Sequence, residues 1–107
     1  TRRGNMDLEK IAFTIISNSG DAKSLAMEAI NLAEKGEIKK ARKKIENAED
    51  KLNAAHKSQT NLIQKEAQGE KVELNLLLVH AQDHLMNSIT VNDMAKHFIN
   101  LYDKFTD

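Results

Sequence analysis

The chain has 107 residues, no cysteine and no proline, and its 16 basic and 16 acidic residues cancel. That is the length of one domain, without disulfides or a thiolate metal site, and without a net field to gather nucleic acid or an anionic membrane. No apolar run approaches the roughly 20 residues of a membrane span, no signal peptide is evident, and a soluble, cytoplasmic protein is expected.

Four glycines, four aromatic residues and abundant Ala, Leu, Ile, Lys and Glu suit long helices better than a turn-rich β domain. Thr1 to Asn5 hold no apolar residue and precede Met6. Residues 1–6 are therefore expected to be a disordered end or a remnant of an expression vector, with 7–107 as the folded domain. From about Asp7 to Glu34 a first helix is predicted. Leu8, Ile11, Ile15, Ala22, Leu25, Ala29 and Leu32 fall on 3,4 spacing, and Ile16, Ala26, Ile30 and Ala33 widen the stripe. Ser19, Gly20 and Asp21 interrupt it, and a bend is expected there. Gly36 then closes a turn as a helix C-terminal cap would.

The second helix is predicted from about Glu37 to Ala67. Ile38, Ala41, Ile45, Ala48, Leu52, Ala55, Gln59 and Leu62 keep 3,4 spacing without a slip. Its mixed Lys and Glu residues read as a solvated face, and His56 as an ordinary packed or surface residue. A turn follows at 68–71. The third helix is predicted from about Val72 to Phe105, with Leu74, Leu77, Ala81, His84, Ser88, Val91, Ala95, Phe98, Tyr102 and Phe105 along its core line. Leu78, Val79, Leu85, Met86 and Ile89 lie on its other faces, so its first half is apolar nearly all round. The expected fold is all-α, an up-down-up three-helix bundle. Its surplus apolar surface implies self-association, with the third helix at the centre of a symmetric oligomer.

His80, Asp83 and His84 interrupt the most apolar run, LNLLLVHAQDHLM at 74–86. On a helix, Asp83 lies at about −60° and His84 at about +40° from His80. Two imidazoles and a carboxylate thus share a face flanked by leucines, where uncompensated polar groups are costly. Three chemistries suit the set. It could be a satisfied structural cluster. It could be a metal site of H-x-x-D-H form, although Asp stands where zinc hydrolases of inverted motif carry Glu, and a third ligand is wanting. Or it could hold a nucleophilic imidazole that carries a phosphoryl group, with His84 and Gln82 as donors to its oxygens.

GDAKSLAMEAI at 20–30, LNAAHKSQTNLIQKEAQGEK at 52–71 and LLLVHAQDHLMNSI at 76–89 resemble one family closely. They are similar to the enzyme IIA components of the lactose/cellobiose (diacetylchitobiose) branch of the bacterial phosphoenolpyruvate-dependent sugar phosphotransferase system. The resemblance runs from about Leu8 to Phe105. It implies a homotrimer of three-helix subunits, a nine-helix bundle. It implies phosphoryl transfer from the phosphocarrier HPr to His80, and onward to a cysteine of enzyme IIB, with the membrane reached only through enzyme IIC. It implies that Asp83 from three chains meets at the trimer axis and holds one divalent metal ion, Mg2+ being the ion to expect. By motif position His84 and Gln82 stabilise the phosphoryl group or orient the ring. The alternative reading is a metal-stapled helical oligomerisation module without phosphoryl transfer.

Overall fold

A computed structural model describes the backbone of residues 2–106 and the side chains of residues 7–106. The protein consists of α1 (Arg2–Glu34), α2 (Ile38–Ala67) and α3 (Leu76–Asp103). They run up, down, up in a rod of 59 × 20 × 18 Å. Its radius of gyration, 16.6 Å, exceeds the roughly 13 Å of a compact domain of this length. No helix of the described residues is long and apolar enough to cross a membrane.

α1 continues through Gly20 as one helix and begins upstream of the expected start, at Arg2. The Thr1 end of the expected disordered segment lies outside the described residues. Gly36 ends α1 with φ +84°, a conformation that favours glycine, and Glu37 leads into α2. Gly69 plays the same part after α2, with φ +89°.

The third helix starts four residues later than predicted. Asn75 is its N-cap: the Asn75 Oδ1 accepts a hydrogen bond from the Leu78 backbone N–H at 2.8 Å. This cap satisfies one of the first turn's free donors and leaves residues 70–75 as an irregular connection with Leu74 exposed.

The centre of the bundle is lined by small side chains. On α1 the buried line is Ala12, Ile15, Ser19, Ala22, Ala26, Ala29 and Ala33. On α3 it is Leu78, Ala81, Leu85, Ser88, Asn92, Ala95 and Ile99. Both lines sit one residue away from much of the predicted stripe. The predicted core residues Leu8, Ile11, Leu25 and Leu77 flank the seam half-buried, as His84 and Val91 do, and Phe98 is exposed. The physical reason is close approach: alanine at the contact lets the helix axes come together, and larger side chains then pack beside the contact line. On α2 the buried residues Ala41, Ile45, Ala48, Leu52, Ala55 and Leu62 follow the predicted stripe.

α1 packs against both other helices, and α2 and α3 meet more sparsely. Within one chain, α1 is thus the most enclosed helix, and α3 turns one apolar side outward, as its surplus of apolar residues implied. A polar layer divides the core in two. The Ser88 hydroxyl donates to the Ser19 carbonyl at 2.8 Å, and Asn92 is buried beside it in sequence, on the next turn of α3. On one side lies a cluster with Ile15, Leu52, Leu78 and Leu85, and on the other a cluster with Ile45 and Ile99. Ion pairs fix the helices laterally: Lys44 to Glu28 and Lys51 to Asp21 tie α2 to α1, and Arg42 to Asp103 ties α2 to α3. Half-exposed pairs of this kind stabilise little individually.

Leu85→Ala removes a fully buried side chain and is expected to cost about 2–5 kcal/mol of unfolding free energy. Phe98→Ala, at the predicted but not the observed core line, is expected to cost the folded chain much less. Equal losses in denaturant unfolding would contradict the observed register.

Candidate functional site

The site residues all come from the first turns of α3. His80 is exposed. His84 follows one turn later, half-buried, with its ring centroid 5.7 Å from that of His80 and the planes tilted by 49°. The two imidazoles are therefore neighbours on one face, as their i, i+4 spacing requires.

His84 owes its position to α1. A Cβ built on Gly20 would lie 3.8 Å from His84 Nε2, so the imidazole rests over a helical position of α1 that carries no side chain. Gly20 lies in a helix and needs no unusual φ. Its small size instead leaves a shelf for the ring. In the sequence Gly20 is a break in the pattern of α1. Its service to His84 becomes visible only when α1 and α3 are side by side.

Asp83 is exposed and points away from the bundle, roughly 180° from the buried Asn92 on the helical wheel. Around it the outward face of α3 is apolar: Leu76 is 84% exposed, Met86 56% and Met94 54%. His80 stands about 60° to one side of Asp83, on the side nearer α1. The three polar residues that looked like one set in the sequence thus address two directions. His80 and His84 form a pair at the α1 edge, and Asp83 stands alone on an outward apolar stripe.

Gln82 lies on the other side. It is about 160° from His80 around the helix, and its Oε1 accepts a hydrogen bond from the Gln59 Nε2 of α2. Within one chain Gln82 and His80 are not neighbours. Gln59 was the single polar residue on the apolar stripe of α2, and its partner explains why: it holds a carboxamide across the α2–α3 seam.

As for a metal, no group of three or more metal-ligating side chains exists among the described residues. One chain offers Asp83 as a lone oxygen donor on its surface. A hard, oxygen-seeking cation such as Mg2+ suits that donor.

The family model for the lactose/cellobiose-specific IIA subunit of the phosphotransferase system (PTS) matches residues 10–103. The chain belongs to this family. It is 53% identical over 103 residues to the lichenan-specific phosphotransferase enzyme IIA component of Bacillus subtilis, covering 96% of this chain and 94% of that one. Among solved structures it resembles the PTS cellobiose-specific enzyme IIA of Bacillus anthracis, with 51% identity, a TM-score of 0.89 and coverage of 92% and 90% of the two chains. It also resembles the IIA(chitobiose) of Escherichia coli determined in complex with HPr, with 38% identity, a TM-score of 0.80 and coverage of 92% and 95%. The protein is accordingly an enzyme IIA component of the PTS, a phosphocarrier for lactose/cellobiose-type sugars. The all-α three-helix architecture read from the sequence agrees with these structures.

Gly20→Ala in this IIA component is expected to be tolerated or to stabilise by up to about 1 kcal/mol, because the added methyl meets His84 at ordinary contact distance and alanine favours a helix. Gly20→Leu is expected to displace the His84 ring. Thermal unfolding and the imidazole NMR resonances of the two variants check both outcomes.

Proposed function

We propose that His80 is the phosphoryl acceptor of this IIA component, that HPr is the donor and that a cysteine of the cognate enzyme IIB is the recipient. The observation that carries this reading is the exposed His80 beside a His84 seated over Gly20, in a chain of the IIA family. Exposure matters because two different proteins must reach the same ring in turn. A lone pair on a His80 ring nitrogen attacks the phosphorus of phospho-HPr. The bond to the donor's histidine nitrogen breaks, and that nitrogen leaves with its electron pair. In the second step the IIB thiolate sulfur attacks the same phosphorus, and the bond to His80 breaks. His84 is placed to donate a ring N–H to a phosphoryl oxygen, and its seat on α1 restricts its motion.

The working form is a homotrimer with α3 at its centre. The exposed area of 7315 Å2 is well above the roughly 6,000 Å2 usual for a folded monomer of this size. The large apolar residues Leu76, Val79, Met86, Met94 and Leu101 line the outward stripe of α3. Packing three such stripes together buries them and brings three copies of Asp83 to the axis. Their mutual repulsion calls for one divalent cation, Mg2+ being suited to three carboxylates.

This arrangement gives Gln82 a place in the chemistry. Around a threefold axis, the side of α3 that carries His80 in one chain faces the side that carries Gln82 in the next. Gln82 then serves the His80 of the adjoining chain, with Gln59 orienting its carboxamide.

Incubation with phosphoenolpyruvate, enzyme I and HPr is expected to add one phosphoryl group per chain by intact mass, and none to His80→Gln. Phosphate on His56 or His97 would refute the assignment. Asp83→Leu is expected to sediment as a trimer without divalent metal, whereas the unaltered trimer weakens on chelation, because leucine removes the repulsion and suits the apolar stripe. A monomeric Asp83→Leu would contradict the axial placement.

A further inference from the structure

A second ionisable residue interrupts the outward stripe of α3. Leu76, Asp83, Thr90 and His97 recur at intervals of seven. In helices packed about a common axis with a 3.5-residue repeat, residues seven apart occupy equivalent positions. If the helices are straight, the drift is about 20° per heptad, so His97 departs from the direction of Asp83 by only about 40°. Whatever brings three Asp83 side chains together therefore brings three His97 side chains together, about 21 Å further along the axis.

The surroundings of His97 set it apart from an ordinary surface histidine. It is exposed and, with Met94, Phe98 and Leu101, it lines a shallow apolar hollow of about 280 Å3. Those three apolar neighbours are 40–54% exposed in the single chain. Covering the hollow with a second and third copy of this chain removes water from three imidazoles, which then require a partner. Asp93, one turn earlier on α3, is spaced to take the second ring N–H of His97, as carboxylates behind metal-bound histidines do.

We infer that the trimer has a second axial site at His97, built from three imidazoles, that takes a borderline transition-metal ion such as Zn2+. Three histidine nitrogens with a fourth position for water make a zinc coordination set, whereas the three oxygens at Asp83 select a hard cation. The two axial sites thus differ in chemistry, and the His97 site is not needed for phosphoryl transfer at His80. This inference rests on the trimer proposed above.

The test uses the whole protein near neutral pH with excess Mg2+ to fill the oxygen site. Its mass is taken by sedimentation equilibrium, and Zn2+ is then titrated calorimetrically into the unaltered chain, His80→Gln, His97→Gln and His97→Leu. His80→Gln removes the His80–His84 pair as a competing chelator, and His97→Leu keeps the stripe apolar so that assembly survives. The expected result is a trimer that takes one Zn2+ per three chains, retained in His80→Gln and lost in both His97 variants. A trimer whose zinc uptake is absent, or unchanged in a trimeric His97→Leu, overturns the zinc site and leaves the trimer standing. A chain that does not sediment as a trimer overturns both.

Discussion

The structure depends on an unusual distribution of side-chain size. Small residues occupy the contact line between the helices, and many of the large apolar residues face outward. Ala12, Ala22, Ala26, Ala29 and Ala33 give α1 a nearly flat inner surface, met by Ala41, Ala48 and Ala55 from α2 and by Ala81 and Ala95 from α3. Close approach of the backbones follows, but alanine buries little apolar area, so one chain gains little from its own core. Larger apolar residues, Leu76, Val79, Met86 and Met94, remain exposed on the outward face of α3. In the proposed trimer, folding and assembly are divided between two faces of the same helix.

The same geometry suits the proposed chemistry. A phosphocarrier needs a nucleophile that partners can reach and neighbours that do not wander. With His80 proposed as that nucleophile, α3 meets both needs because it is gripped along one side only. His80 projects at the edge of that grip, and His84, one turn on, lies over the gap left by Gly20. Asp83 belongs to the open stripe. The polar seam of Ser19, Ser88 and Asn92 lies further along the bundle, between the two apolar clusters. It places hydrogen-bonding groups in the core at a level where the helices could otherwise slide past one another.

Charge plays a lesser part inside the chain. The basic residues of α2 find carboxylates on both neighbours: Lys44 and Lys51 meet Glu28 and Asp21 on α1, and Arg42 meets Asp103 on α3. Such pairs in solvent add little stability, yet they disfavour other lateral arrangements of three long helices. The balanced composition leaves the chain as a whole without net charge.

The sequence by itself determined the three helices, the two glycine turns and the buried line of α2. Each rests on a local cause: 3.6-residue periodicity, left-handed glycines, and a single narrow apolar stripe on an otherwise charged helix. The motif around His80 was likewise legible, because two histidines and an aspartate are conspicuous in the most apolar segment. Only the tertiary structure decided which side of α1 and α3 faces inward. Both helices have apolar stripes wide enough for two neighbouring registers, and hydrophobicity alone prefers the larger residues. On α1 packing prefers the smaller ones at the contact, Ala12, Ala26 and Ala33 over Ile11, Leu25 and Leu32, and on α3 Leu85 rather than His84 fills the core. Tertiary structure also gave Gln82 its partner, Gln59 of α2, on the side of α3 away from His80. And it gave Gly20 its purpose, since a missing side chain acquires meaning only from what comes to lie against it.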